Sequence, residues 1–143
     1  MGRALWRQLV IGFAGQLPAL RLGFAQLAAV YAVDDGGTLT VGELAERLGR
    51  SPSATSRIVD GLVRRGYLER GVEVADRRQR TLALTDAGTA LLGMVDGARA
   101  QEFLAVVRPL PEAERALVAM GVAALASHAI TRRGRLIRAS ASD

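Results

Sequence analysis

The sequence predicts a mainly α-helical fold with one small β-hairpin, and three observations lead to this prediction. Helix start signals recur near residues 40, 51, 85 and 111. Only residues 67–85 have the pattern of two short strands around a polar turn. Half of the 143 residues are hydrophobic and 23% are charged, which is the balance of a packed globule. We therefore expect one domain over residues 1–143, with a sizeable core.

The composition excludes several kinds of chemistry. The chain has no cysteine, lysine or asparagine, so disulfides, thiolate metal sites, thiol nucleophiles and phosphate-loop lysines are absent. All 19 basic residues are arginines, against 14 acids, and the net charge is +5. Because a guanidinium is a permanent, fork-shaped donor that suits phosphates and base edges, a polyanionic partner is expected.

The positive charge is concentrated in one part of the chain. Residues 47–80 contain nine arginines and four acids, whereas the other residues contain ten of each. A basic protein without a specific polyanionic partner would spread its arginines more evenly. The functional surface is therefore expected within residues 47–80.

Residues 1–21 are predicted to form an apolar helix that packs against another helix. Thirteen residues separate Arg7 from Arg21, and this stretch is interrupted by Gln16 and Pro18. It is shorter than the roughly 17–25 residues that cross a bilayer, and no clear signal-peptide cleavage site follows it. We expect a cytoplasmic protein.

Two short helices joined by a turn are predicted next. Thr40 and Glu43 have the spacing of a capping box, and Gly49 suits the left-handed end of a short helix. Ser51 and Pro52 then form a cap followed by proline at the first helical position. The second helix runs to about Arg65 and ends at Gly66, which gives a helix-turn-helix.

The second helix has an apolar side and a polar side. At 100° per residue, Ala54, Thr55, Ile58, Val59, Leu62 and Val63 face a core. The opposite arc, with the cap residue, supplies the candidate major-groove contacts, which are Ser51, Ser53, Ser56, Arg57, Asp60 and Arg64, with Gly61 among them. Taken alone, this arc is equally consistent with an ordinary solvated helix face.

A hairpin follows, with strands near residues 67–70 and 80–85. Its turn contains the candidate wing contacts Asp76, Arg77, Arg78 and Arg80, more charge than a turn requires. The alternative is a solvated loop. A helix-turn-helix followed by a basic hairpin is a winged helix, assigned here to residues 22–88.

Two further helices complete the chain. Thr85 and Asp86 cap a long linker helix over residues 85–108, and Pro111 opens a last helix within residues 109–130. Residues 116–126 carry no charge, so we expect this helix to be enclosed by a second copy of the chain. The alternative is a monomer whose first and last helices cover each other. Residues 131–143 are expected to be a frayed tail, or alternatively a DNA-contacting arm.

Several motifs resemble those of the MarR family of winged helix-turn-helix transcriptional regulators. The resemblance begins near Leu22 and includes the stretch Leu39-Thr40-Val41-Gly42-Glu43 and the stretch Arg65-Gly66-Tyr67-Leu68-Glu69-Arg70. Its most specific part is Asp76-Arg77-Arg78 followed by Leu84-Thr85-Asp86-Ala87-Gly88. About half of the chain resembles the family at the level of motifs.

The resemblance implies a homodimer joined through terminal helices at 1–21 and 109–130. Such a dimer binds pseudo-palindromic duplex DNA and usually represses nearby genes. The helix from Ser51 would enter the major groove, and Arg78, paired with Asp76, would enter the minor groove. Asp60 would oppose binding unless Arg57 or Arg64 neutralised it, or it would accept a hydrogen bond from a cytosine amine.

The resemblance also implies a small aromatic or anionic effector, bound between the dimer helices and the DNA-binding lobe. Candidate pocket residues are Trp6, Phe13, Phe24 and Tyr31, each of which could instead be part of the core. No metal or cofactor is expected.

Two other functions compete with DNA binding. An enzyme would have to use Ser127 and His128, but adjacent helical residues do not face each other and no third group orients the imidazole. We therefore expect no catalytic residue. The other alternative is a winged helix that binds proteins without specific DNA binding.

Overall fold

A computed structural model describes residues 20–72 and 80–140 of the chain, together with Arg7. The chain divides into two compact units, Met1–Arg99 and Ala100–Asp143. The elements of the described residues are α1 (Phe24–Gly36), β1 (Leu39–Thr40), α2 (Val41–Leu48), α3 (Pro52–Arg64), β2 (Leu68–Val72), β3 (Arg80–Leu84), α4 (Asp86–Val107) and α5 (Glu112–Ser140). They confirm the predicted mainly α-helical class with a small β-structure.

The sheet has three antiparallel strands in the order β1-β3-β2. Leu68 pairs with Leu84 in the predicted hairpin, and Leu39 pairs with Leu82 at the other edge. The strand β1 was not predicted, because two residues are too few to show an alternating pattern. Its second residue, Thr40, also caps α2.

The caps of α2 and α3 are those that the sequence predicts. The Glu43 amide donates to Thr40 Oγ1 at 3.2 Å, and the Thr40 amide donates to Glu43 Oε2 at 2.7 Å. The bond from the Thr40 backbone, followed by that from its side chain, lowers the pKa of Glu43. Because the pKa is lower in the folded protein, the ionised Glu43 stabilises the fold. This stabilisation is present above the ordinary pKa of a glutamate and is lost as the pH falls through the lowered pKa. On α3, Ser51 Oγ accepts from the Ala54 amide at 3.3 Å.

The core of the first unit is built from one side of each helix and from the sheet. Its fully buried side chains are Leu27, Val30, Val33, Leu44, Thr55, Val59, Leu62, Leu68 and Leu82. Three of these, Thr55, Val59 and Leu62, lie on α3, so the predicted core side of that helix is correct. Leu91, Leu92 and Val95 of α4 extend the same core.

A network of hydrogen bonds around Thr85 joins the end of α3 to the beginning of α4. Thr85 Oγ1 donates to the Gly66 carbonyl at 2.5 Å and accepts from the Gly88 amide at 3.1 Å. The Thr85 amide donates to the Tyr67 carbonyl at 3.2 Å. Gly88 lies so close that a Cβ atom there would overlap the Tyr67 carbonyl oxygen. The hairpin therefore begins and ends at a fixed junction.

The second unit contains the long helix α5. Its backbone remains helical to Ser140, past the predicted end near residue 130 and through most of the tail that we expected to be frayed. Arginine is a good helix former, and no proline follows Pro111, which accounts for the extension. Leu117, Met120 and Leu125 expose 69%, 69% and 73% of their surface. Among the described residues, no helix is long and apolar enough to cross a membrane.

Thr55 is the one buried polar side chain of the described core without a hydrogen-bond partner. Its residue is fully buried and its Oγ1 atom is unpaired. Because an unsatisfied buried hydroxyl is costly, Thr55→Val is expected to raise the free energy of unfolding by about 1 kcal/mol. Urea denaturation of the two proteins measures this difference. Thr55→Ser is the control, because it keeps the hydroxyl and is expected to be less stable than wild type. Equal or lower stability of Thr55→Val would contradict the prediction.

Candidate nucleic-acid interface

The turn between α2 and α3 is held by the backbone. Gly49 has a φ of 60° at the end of α2, a conformation that favours glycine. The Arg50 amide donates to the Ala45 carbonyl at 3.0 Å, and Ser51 then caps α3 with Pro52 at its first position. These local features set the direction of α3 relative to α2, as a helix-turn-helix requires.

The surface of α3 opposite the core is a single stripe. We call it the recognition face and define it as Ser53, Arg57, Asp60 and Arg64. Ser53, Arg57 and Arg64 are exposed, whereas Asp60 is half-buried. The spacings of four, three and four residues keep the stripe on one side of the helix. The structure thus groups these candidate residues, while their role in binding stays a prediction.

Two other residues of the predicted polar arc are less exposed to solvent. Ser56 and Gly61 are half-buried. A Cβ atom on Gly61 would approach Gln26 Nε2 of α1 to 3.2 Å. Gly61 therefore lies beside α1, whereas the helical projection had placed it among the outward-facing residues.

The charge of Asp60 is balanced by a residue that the sequence did not indicate. Asp60 Oδ1 accepts from Arg70 Nη2 of β2 at 2.5 Å. Arg57 and Arg64, the two partners that helix spacing offered for this carboxylate, do not pair with it among the described residues. Helix spacing alone suggested those two partners, whereas the approach of β2 to α3 is a tertiary contact.

The six arginines of residues 47–72 fall into two groups. Three are engaged: Arg47 donates to the Ala32 carbonyl at 3.4 Å, Arg65 donates to the Arg21 carbonyl, and Arg70 pairs with Asp60. The others are exposed and form no hydrogen bond or ion pair through their side chains with another described residue: Arg50, Arg57 and Arg64. Two of these free guanidinium groups lie on the recognition face. The third lies in the turn before α3, and the sequence had not singled it out.

The predicted wing contacts cannot be placed in the same way. Asp76, Arg77 and Arg78 lie outside the described residues, and so does the side chain of Arg80. The backbone of Arg80 begins β3 and pairs with Val72, the last residue of β2. The roles of these four residues stay predictions.

The predicted effector pocket is only partly covered by the described residues. Trp6 and Phe13 lie outside them. Phe24, at the beginning of α1, exposes 66% of its surface. The Tyr31 hydroxyl donates to Asp96 Oδ1 at 2.5 Å, and burial together with this carboxylate raises the pKa of Tyr31 to about 12. Tyr31 is therefore a neutral donor at physiological pH, and the pocket stays a prediction.

Ser127 and His128 are held by their own helix. Ser127 Oγ donates to the Ala123 carbonyl at 3.0 Å, and His128 Nδ1 lies 3.1 Å from the Ala124 carbonyl oxygen. Such bonds to the preceding turn are usual for polar residues within helices. These bonds do not pair the Ser127 hydroxyl, as a nucleophile, with the His128 imidazole, as a base.

Comparison with known proteins identifies the relatives of this chain. Residues 22–79 match the model of the MarR family. The HTH-type transcriptional repressor MdtR of Bacillus subtilis is 38% identical over 64 residues, which are 45% of this chain and 41% of MdtR. The matches span 41–61% of the lengths of the four curated relatives, each named as an HTH-type transcriptional regulator or repressor.

Solved structures share the fold over most of the chain. The YusO protein of Bacillus subtilis is 28% identical, with a TM-score of 0.73 over 87% of this chain and 89% of YusO. A mutant of MepR from S. aureus, solved bound to an oligodeoxyribonucleotide, is 22% identical, with a TM-score of 0.70 over 88% of this chain and 93% of MepR. The family and the curated relatives are transcriptional regulators and not enzymes, in agreement with the prediction. Residues 22–79 of the chain are thus similar to the MarR family of transcriptional regulators, and the described elements share the fold of solved members of that family.

Proposed function

We propose that this protein is a homodimeric, sequence-specific regulator that binds pseudo-palindromic duplex DNA. In this proposal α3 enters the major groove, and the wing residues Asp76, Arg77, Arg78 and Arg80 contact the minor groove. The observation that carries it is the recognition face, where Arg57 and Arg64 are exposed and unpaired while the one carboxylate of the face is neutralised. Arginine of this kind binds guanine edges and phosphates.

The surrounding charge supports DNA as the partner. Residues 47–80 hold the whole positive excess of the chain, and this segment includes α3, β2 and the first residue of β3. A cationic surface of this kind attracts the phosphate backbone before any base is contacted. A structural relative with the same fold, the MepR mutant, was solved with an oligodeoxyribonucleotide bound.

The exposed apolar surface of α5 supports a dimer. Leu117, Met120 and Leu125 are largely exposed, and no charged residue lies between 116 and 126. Contiguous apolar surface of this kind marks an interaction site. A second copy buries it symmetrically and presents two α3 helices to successive turns of a duplex.

Repression of nearby genes and release by a small molecule complete the proposal. The relative MdtR is named as a repressor. An effector that releases the DNA must bind the DNA-competent and DNA-incompetent arrangements with different affinity. Tyr31, with its hydroxyl held by Asp96, is the described residue that we assign to such a site.

A protein-interaction module without specific DNA binding is the alternative function. It shares the fold but does not require free arginines on α3. The dependence of binding affinity on salt concentration distinguishes the two functions. DNA binding that neutralises several phosphates weakens steeply with ionic strength, at about 0.9 log units of affinity per log unit of salt for each phosphate, whereas protein contacts respond less.

Arg57→Ala and Arg64→Ala are each expected to weaken binding by about 1–3 kcal/mol. The test first selects duplexes from a random-sequence library with the wild-type protein. Dissociation constants are then measured on the selected duplex and on a scrambled duplex over a range of salt concentrations. If the replaced arginine contacts a base, the variant loses selectivity at one position of the duplex. If it contacts a phosphate, the variant has a salt slope lower by about one.

Arg108→Ala is the matched control, because Arg108 is exposed and lies in the second unit. It is expected to retain wild-type affinity and selectivity. The proposed function would be rejected if the wild-type protein selected no sequence and bound duplex DNA without salt dependence.

A further inference from the structure

The Asp60–Arg70 pair joins two elements that the proposed function brings to DNA, α3 and the first strand of the wing. We propose that Arg70 is a positioning residue for sequence recognition. It cancels the only carboxylate on α3 and ties β2 to that helix, so that Arg57 and Arg64 carry the selectivity and Asp60 contacts no base. This inference rests on the proposed function and names how its site is organised.

The geometry of the pair favours this role. The Arg70 Nη2 and Asp60 Oδ1 atoms are 2.5 Å apart, and the side chains are 28% and 47% exposed. An ion pair this exposed contributes little to the stability of the fold. Its electrostatic effect grows when DNA covers it and excludes water, because the local dielectric constant then falls. The pair is therefore expected to matter more for binding than for folding.

The charge of the recognition face depends on Arg70. Asp60 lies three residues after Arg57 and four before Arg64, yet neither arginine pairs with it in the described structure. If Arg70 were neutral, an unpaired carboxylate would face the phosphates from the middle of the stripe. With Arg70 in place, the face presents two free cations and no free anion.

The same contact argues against base readout by Asp60. A carboxylate that accepts a charge-assisted hydrogen bond from Arg70 has its charge satisfied. A cytosine amine would have to share this carboxylate with Arg70, which already holds one of its oxygens. Base readout and positioning therefore predict different behaviour of the two single variants.

The experiment compares Asp60→Asn, Arg70→Gln, Arg70→Lys and the double variant Asp60→Asn/Arg70→Gln on the selected and scrambled duplexes. Arg70→Gln is expected to weaken binding to both by about tenfold, because it leaves an uncompensated carboxylate near phosphates. Arg70→Lys keeps the positive charge and is therefore expected to retain most of the wild-type affinity. Asp60→Asn is expected to tighten binding to the scrambled duplex and to steepen the salt slope by up to about one.

Selectivity distinguishes positioning from a simple charge effect. The ratio of affinities for the selected and scrambled duplexes is expected to fall in the double variant, although its net charge equals that of wild type. Glu69→Gln is the matched control: Glu69 is an exposed acid adjacent to Arg70, so its loss is expected to change non-specific affinity but not selectivity. Thermal unfolding of every variant is expected to remain close to wild type.

Three outcomes would overturn the inference while leaving DNA binding intact. The first is a repeat selection in which Asp60→Asn prefers a different base at one position while Arg70→Gln keeps the wild-type preference. The second is wild-type binding by Arg70→Gln. The third is full selectivity in the double variant. A wild-type protein that selects no sequence instead removes the proposed function, and this inference with it.

Discussion

Gly88→Ala is expected to destabilise the first unit by about 3 kcal/mol, because a side chain at this position has no space. The added Cβ would overlap the carbonyl oxygen of Tyr67 and would lie 2.7 Å from Leu84 Cδ2. The leucine can change rotamer, but the carbonyl cannot move freely, because it accepts a hydrogen bond from the Thr85 amide. Urea denaturation monitored by circular dichroism measures the loss.

Gly93→Ala provides a matched control on the same helix. A Cβ atom at Gly93 would meet nothing within 4 Å, and its φ is not in the left-handed region. Alanine there is expected to stabilise the protein by about 0.5–1 kcal/mol through helix propensity and a less flexible unfolded chain. If both variants were stabilised, the contact between Gly88 and Tyr67 would not exist in solution.

The contacts around Gly88 give a physical reason for the motif Leu84-Thr85-Asp86-Ala87-Gly88, part of the most specific match in the sequence. The Thr85 hydroxyl donates to the Gly66 carbonyl and accepts from the Gly88 amide. Gly88, which has no side chain, allows the close approach of Tyr67. The sequence alone predicted a helix cap at Thr85, because capping is local chemistry. It did not predict that the same hydroxyl fastens the end of α3, since that contact spans 19 residues.

Local features were predicted well, and features that depend on tertiary packing were not. The caps at Thr40 and Ser51 and the buried side of α3 follow from spacing within a few residues. The pairing of Asp60 with Arg70 depends on how β2 approaches α3, so helix spacing offered two other arginines instead. For the same reason the sequence could not separate the engaged Arg65 from the free Arg64, although the two are adjacent.

Replacing both Leu117 and Leu125 by glutamate is expected to dissociate the proposed dimer. These side chains are 69% and 73% exposed, so the substitutions remove little core packing from the protomer. In the dimer they would place four carboxylates in an apolar interface, where an unpaired charge is very unfavourable. Sedimentation velocity is expected to show a species of half the wild-type mass, with an unchanged circular dichroism spectrum.

The same double variant tests whether two copies are needed to bind DNA. A palindromic site is bound tightly because the second α3 binds at a high effective concentration once the first is in place. Loss of the dimer is therefore expected to weaken binding to the selected duplex by about a hundredfold or more, with a smaller effect on a single half-site. Ala90→Glu adds one glutamate at an exposed position of α4 and serves as the control for added negative charge. A wild-type protein that is already monomeric, or a dimer that survives both glutamates, would show that α5 is not the interface. In that case the apolar surface of α5 would have to be covered by a different partner.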